Sequence, residues 1–138
     1  GFPGETEEAF NKTYAIIEKL PVAYLHVFPF SAREGTPASR YPDPVPAKVI
    51  KTRCQKIRKL GNAKKKEFFG KFIGKKVAVL IETGMDRSAG FYQGITSSYV
   101  PVVLRGESRL KNTLITVRIE GLHENNALFG TLCSGDSF

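Results

Sequence analysis

The sequence predicts an α+β chain: a helix, an apolar strand and a second helix, followed by a small five-stranded antiparallel β-barrel. Three observations lead there. Apolar residues recur at helical spacing before residue 21 and again beyond residue 46. A continuous apolar and aromatic run lies between prolines in the middle. From Lys76 onward the apolar period changes from 3.6 to 2.

The first helix spans Thr6 to Leu20, with Phe10, Tyr14 and Ile17 beside Ala9, Ile16 and Leu20. Glu5, Glu7 and Glu8 sit at its start, where the helix dipole favours negative charge, and Pro21 stops it. Val22 to Phe30 reads as a strand buried on both faces. Such a strand needs parallel neighbours that the chain does not offer nearby, so a longer parent is expected, as it is from the missing initiator Met. Ser31 to Pro46 is loop, broken by Gly35, Pro37, Pro42, Pro44 and Pro46. Pro46 suits the first position of a second helix, with Ile50, Cys54 and Ile57 on its apolar side. That helix is expected to pass Gly61 with a defect and reach the cluster Phe68, Phe69 and Phe72, residues that read as packing beneath the barrel.

The five strands follow as Val77 to Glu82, Phe91 to Thr96, Tyr99 to Leu104, Ile115 to Glu120 and Ala127 to Leu132, with a turn-rich loop over Thr83 to Gly90. Closing them into a barrel removes exposed edges. The expected division is 1–66 and 67–138.

Charge is concentrated rather than spread. Between Lys48 and Lys76 there are twelve Lys or Arg residues against the single acid Glu67, so that segment carries +11 and the remainder −3 of the net +8. A solvated face ordinarily mixes signs, because like charges one helical turn apart repel. A polyanion explains a one-sign segment better, and nucleic acid fits ahead of an anionic membrane surface. No stretch of 18 apolar residues occurs, so a membrane span is not expected, and neither is a signal peptide. Cys54 and Cys133 suggest no disulfide framework, and a reducing cytoplasm is the default location. Cys54 reads as a small core residue, His26 as a satisfied core histidine and His123 as a loop histidine. Tyr92 and Tyr99 read equally as packing or as stacking platforms for bases.

Several motifs carry a resemblance. Gly1-Phe2-Pro3-Gly4-Glu5-Thr6-Glu7 with Phe10, then Leu25-His26-Val27-Phe28-Pro29-Phe30-Ser31, then Arg33-Glu34-Gly35-Thr36-Pro37-Ala38 resemble the radical S-adenosylmethionine methylthiotransferases. Phe72-Ile73-Gly74-Lys75 and the strands after it look like the OB-like TRAM barrel that ends those enzymes. The resemblance implies that residues 1–66 are the last helix, strand and helix of an incomplete (β/α) radical-SAM barrel, and that 67–138 is an RNA-binding TRAM domain. His26 to Ser31 looks most like the branch acting on threonylcarbamoyladenosine beside the tRNA anticodon; the alternatives are the isopentenyladenosine branch and the branch acting on a ribosomal protein. The parent enzyme would use S-adenosylmethionine and two 4Fe-4S clusters, held by N-terminal domains that this chain lacks, and neither cysteine has cluster spacing. No catalytic residue, metal site or bound cofactor is therefore expected here, and the segment alone should be inactive.

By the same resemblance Gly1, Gly4, Glu5, Ser31, Arg33, Gly35 and Thr36 would border the cofactor. Without it, Gly1 and Gly4 read as a tight turn, and residues 33–36 as an ordinary loop. The expected partner is a tRNA anticodon stem-loop. Lys64, Lys65, Lys66, Lys75, Lys76, Arg105, Lys111 and Arg118 are the candidates for its phosphates, and Tyr92 or Tyr99 for a base.

Overall fold

The computed structural model describes residues 1–86, 90–106, 108–124 and 126–137. Among them are helices α1 (Glu7–Lys19) and α2 (Ala47–Gly70), and strands β1 (Lys76–Asp86), β2 (Phe91–Thr96), β3 (Pro101–Arg105), β4 (Leu114–His123) and β5 (Ala127–Ser137). The chain forms two compact units, Gly1–Lys66 and Glu67–Phe138, and the division falls inside α2.

In the first unit, Thr6 caps α1 by accepting the Ala9 N–H at its hydroxyl, and Glu7 and Glu8 occupy the first turn. Pro46 stands just before α2, its carbonyl accepting the N–H groups of Val49 and Ile50. The expected defect at Gly61 is absent, since α2 runs through it unbroken. The glycine serves packing instead. A Cβ there would lie 3.2 Å from the Leu25 Cβ, so its omission lets the residue 22–30 segment approach the helix.

That segment corrects a second expectation. Residues 22–30 join no ladder and are not buried on both faces. Ala23, Leu25 and Val27 are half-buried, and Arg58 Nη2 donates to the Val27 carbonyl at 3.0 Å. Tyr24, His26 and Phe28 point the other way; Phe28 is 81% exposed. Their rings touch in sequence, Tyr24 to His26 at 5.2 Å and His26 to Phe28 at 6.5 Å. His26 is thus an exposed residue, not a core histidine. Apolar, β-branched and aromatic residues favour extended backbone, but a strand exists only where a neighbour supplies hydrogen bonds. The loop that follows contains one short 3-10 turn, Pro37–Arg40.

The second unit is a closed barrel in the order β1-β2-β3-β5-β4. Four ladders are antiparallel as expected, but β3 and β5 pair in parallel through Val102–Leu128, Val103–Phe129 and Leu104–Gly130. The reason is parity. Strands in a closed ring of five cannot all alternate direction, so one neighbouring pair must run the same way. β1 also continues to Asp86, further than the loop expected from Thr83; residues 87–89 of that loop lie outside the described residues. Inside, Val79, Ile81, Val102, Leu104, Ile115, Val117, Ile119 and Leu128 fill the barrel, joined by Phe69 from α2 with Phe68 and Phe72 against it.

Two inward glycines make room at this diameter. A Cβ on Gly94 would stand 2.5 Å from the Leu80 carbonyl oxygen. One on Gly130 would meet Val117 Cγ1 and stand 2.6 Å from the Arg118 carbonyl oxygen. Gly121, on β4, has nothing within 4 Å of that position. Gly94→Ala and Gly130→Ala should each destabilise the barrel by about 1–3 kcal/mol, as overpacking does. Gly121→Ala should change it by less than about 0.5 kcal/mol. Urea unfolding of the three variants checks both statements.

Candidate nucleic-acid interface and cofactor-side loops

The strand registers sort the expected RNA contacts into two ends of the barrel. Lys76 pairs with Arg118 across β1 and β4, and Val79 pairs with Thr96 across β1 and β2. The turn after β2, which carries Tyr99, therefore lies at the end where β1 begins. Lys75 joins this end, its carbonyl accepting the Ile119 N–H at 2.9 Å. Lys75, Lys76, Arg118 and Tyr99 are all exposed. Arg105 pairs with Phe91 at the opposite end, its guanidinium 5.2 Å from that ring, and Lys111 sits in the turn leading into β4, also at the opposite end.

Lys76 and Arg118 are like charges directly opposite one another on an outer face, an arrangement that costs stability unless an anion shares them. Tyr99 bears a comparable cost. It is 79% exposed and stands at φ 57, a left-handed conformation that bulky residues seldom adopt. Its N–H donates to the Thr96 carbonyl, and the Val100 N–H donates to the Thr96 hydroxyl, so the turn fixes the ring's backbone outside the barrel. An exposed aromatic held in a strained turn points to function more than to packing.

Tyr92 is different. It is 6% exposed and belongs to the barrel core, so it offers no face to a base. The inward positions of β2 are Tyr92, Gly94 and Thr96.

The basic segment is also not uniform. Lys64 donates from Nζ to the carbonyls of Glu18 and Leu20 at 2.7 and 2.8 Å, closing the C-terminal end of α1. Its charge is thereby committed to unit 1. Lys65 is half-buried and Lys66 exposed. Arg53, one of the twelve basic residues of that segment, is 7% exposed and turned inward.

Arg53 organises the loops expected beside the cofactor. Its Nη1 donates to the Glu5 carbonyl at 2.9 Å and to Glu5 Oε2 at 2.8 Å, while Nη2 donates to Glu7 Oε2 at 3.0 Å. Its guanidinium lies 5.2 Å from the Phe10 ring. Sequence reasoning missed it, although an arginine between Ile50, Cys54 and Ile57 falls on the helix's apolar side and signals a buried ion pair. Phe2 was also missed: it packs edge-on against Phe30 at 5.1 Å and Tyr41 at 5.8 Å. Those contacts, with the Gly4 N–H donating to the Asp43 carbonyl, bring residues 1–5 and 30–43 together. Both loops are built on the same turn. Glu5 N–H donates to Phe2 O around Gly4 at φ 80, and Thr36 N–H donates to Arg33 O around Gly35 at φ 81. Gly1 lies against Ile50, where a Cβ would meet that side chain. Ser31, Arg33, Gly35 and Thr36 are exposed; the Glu5 carboxylate is already engaged by Arg53 and the Gly1 amine.

Among the described residues no group of three or more His, Cys, Asp or Glu could hold a metal ion. Cys54 is buried on α2 and Cys133 half-buried on β5, so this donor set does not fit an iron–sulfur cluster. No described helix is long and apolar enough to cross a membrane.

Burial pushes the Glu5 carboxyl up, but hydrogen bonds from the Gly1 amine and Arg53 outweigh it and hold the group below its ordinary value. A depressed carboxylate stabilises the fold above its unfolded value, and that contribution is lost as pH falls through its folded value. Acidification from about pH 6 to about pH 3 should therefore loosen the residue 1–7 turn. Glu5→Gln should loosen it at neutral pH and flatten that pH dependence. Hydrogen exchange of the Thr6 to Phe10 amides measures both.

No family model matches the chain. Over 82 residues it is 49% identical to the threonylcarbamoyladenosine tRNA methylthiotransferase MtaB of Rickettsia prowazekii, covering 59% of this chain and 19% of that protein. Over 119 residues it is 38% identical to the tRNA-2-methylthio-N(6)-dimethylallyladenosine synthase of Acetivibrio thermocellus, covering 86% and 25%. The corresponding synthase of Desulfitobacterium hafniense is 35% identical over 136 residues, covering 99% and 30%. The chain thus spans between 19% and 30% of the length of these relatives.

Proposed function

We propose, from its homology with part of the tRNA methylthiotransferases, that this chain is the tRNA-holding portion of such an enzyme. The observation that carries the reading is the outward opposition of Lys76 and Arg118 at the barrel end that also presents Tyr99. Two cations in register suit adjacent phosphates, and a rigid exposed ring suits an unpaired base, as an anticodon stem-loop provides. Lys75 adds charge at the same end, Arg105 and Lys111 carry charge at the opposite end of the barrel, and Lys65 and Lys66 add charge to the first unit. The two units take different tasks: residues 1–66 complete the catalytic barrel of the parent, and residues 67–138 form a TRAM-like RNA-binding domain.

The parent draws its chemistry from S-adenosylmethionine and iron–sulfur clusters. This chain's contribution is to border the cofactor through the turns containing Gly1 and Gly4 and the loop of Ser31, Arg33, Gly35 and Thr36, with Arg53 fixing the first turn through Glu5. The substrate we favour is threonylcarbamoyladenosine beside the anticodon, methylthiolated at C2, on the strength of the His26 to Ser31 motif. Isopentenyladenosine is the second reading, supported by relatives named for the dimethylallyladenosine reaction.

The double charge reversal Lys76→Glu with Arg118→Glu should weaken binding of an anticodon stem-loop at least about tenfold at low salt. It should also flatten the logarithmic salt slope by about 2, one for each phosphate no longer neutralised. An unchanged slope would place the RNA elsewhere. In the full-length parent, transfer to a tRNA carrying threonylcarbamoyladenosine and none to one carrying isopentenyladenosine is the expected outcome for substrate choice; the reverse selects the second reading.

A further inference from the structure

The first unit has an open groove of its own, about 600 Å³ in volume, running between one stripe of α1 and one stripe of α2. Phe10, Tyr14 and Glu18 recur every four residues on α1, and Lys56, Lys59 and Leu60 face them from α2. Phe10 and Leu60 form a buried apolar floor, and Tyr14 a half-buried aromatic wall 6.5 Å from the Phe10 ring. Lys56 holds its ammonium 5.8 Å from the Phe10 ring. Among the described residues neither Lys56, Lys59 nor the Glu18 carboxylate enters an ion pair. Two buried or half-buried charges of this unit are used internally: Arg53 by Glu5 and Glu7, and Lys64 by the end of α1.

We infer that this groove binds one unpaired nucleotide, with its phosphate on Lys56 and Lys59, its base against Tyr14, and a base amino group donating to Glu18. The chemistry argues for this occupant. Two adjacent ammonium groups suit a phosphate, and an aromatic wall over an apolar floor suits a flat base. A carboxylate accepts from the exocyclic amine of adenine or cytosine and has nothing to accept from at the carbonyl of uracil. A purely apolar ligand would leave all three charges unanswered. The inference rests on the reading that the chain handles RNA, but it places a contact in the first unit, independent of the barrel.

The test is an NMR titration of the isotope-labelled chain with adenosine 5′-monophosphate, uridine 5′-monophosphate and inorganic phosphate. Saturating shifts at Phe10, Tyr14, Lys56 and Lys59 are expected for the adenine nucleotide, with millimolar affinity typical of a single nucleotide, roughly threefold or more tighter than for uridine. Lys56→Ala with Lys59→Ala, both at exposed helical positions that tolerate alanine, should abolish the shifts. Glu18→Ala should remove the adenine preference. Equal shifts from inorganic phosphate and the nucleotide would overturn the base contact, and shifts absent or confined to the barrel would overturn the site. The Lys76→Glu, Arg118→Glu chain separates the two readings. Retained groove shifts beside unaltered stem-loop binding would count against the barrel contact alone; lost groove shifts in the same variant would count against the groove alone.

Discussion

Closure of five strands into one ring is the constraint on which the second unit depends. Because the ring is odd-numbered, one pair must be parallel, and the chain meets this by laying β5 alongside β3 after passing through β4. A parallel pair cannot be joined by a tight hairpin, so β4 acts as the crossover. Once that order is set, every strand end is assigned to one rim or the other. Lys75, Lys76 and Arg118 come to the rim that carries Tyr99, and Arg105 and Lys111 go to the opposite one. The barrel's small girth then requires glycine at Gly94 and Gly130, where neighbouring strands crowd the interior.

Much of this was legible because it depends on local pattern. The period change at Lys76, the alternation of Ile115, Val117 and Ile119, and the phenylalanines of α2 all specify which side of an element is apolar, and each packs accordingly. The parallel pair was not read from the sequence, where all five strands were expected antiparallel; it follows from the closure of five strands and not from any residue. Other features depend on what lies opposite in space. Residues 22–30 have every local preference of a strand and no partner, so they adopt the extended backbone without the ladder. Gly61 looks like a weak point in a helix when its function is to admit Leu25. Tyr92 and Tyr99 are indistinguishable by composition; Tyr92 is turned inward by its place on β2, and Tyr99 is held outward by the turn that follows.

The basic segment shows why net charge describes a field and not a surface. Its charges on α2 divide by the direction of the helix face. Arg53 turns inward and is neutralised by Glu5 and Glu7, and its buried Nε has no partner, so the ion pair does not fully repay its desolvation. Such a residue is retained for position: it ties the turn before α1 to α2 over 48 residues of sequence. Lys64 acts similarly at the other end of α1, satisfying carbonyls that the helix leaves open. The two together fix both ends of α1 against α2, which is what makes the groove between them a defined shape.

Removing those two charges from the polyanion account strengthens it. What remains outward includes lysines that form no internal ion pair among the described residues, such as Lys56 and Lys59, and Lys76, which faces Arg118; Lys71, by contrast, meets Glu67 at 3.7 Å. Repulsion between facing cations such as Lys76 and Arg118 would be relieved by an anion placed between them. Tyr99 follows the same logic in the backbone, since a strained turn that presents a ring to solvent gains nothing for folding. Local costs of three kinds, like-charge pairing, an unanswered groove and a left-handed tyrosine, therefore lie where a polyanion carrying bases would relieve them. The buried Arg53, by contrast, meets Glu5 and Glu7 within the chain and is left unanswered only at its Nε.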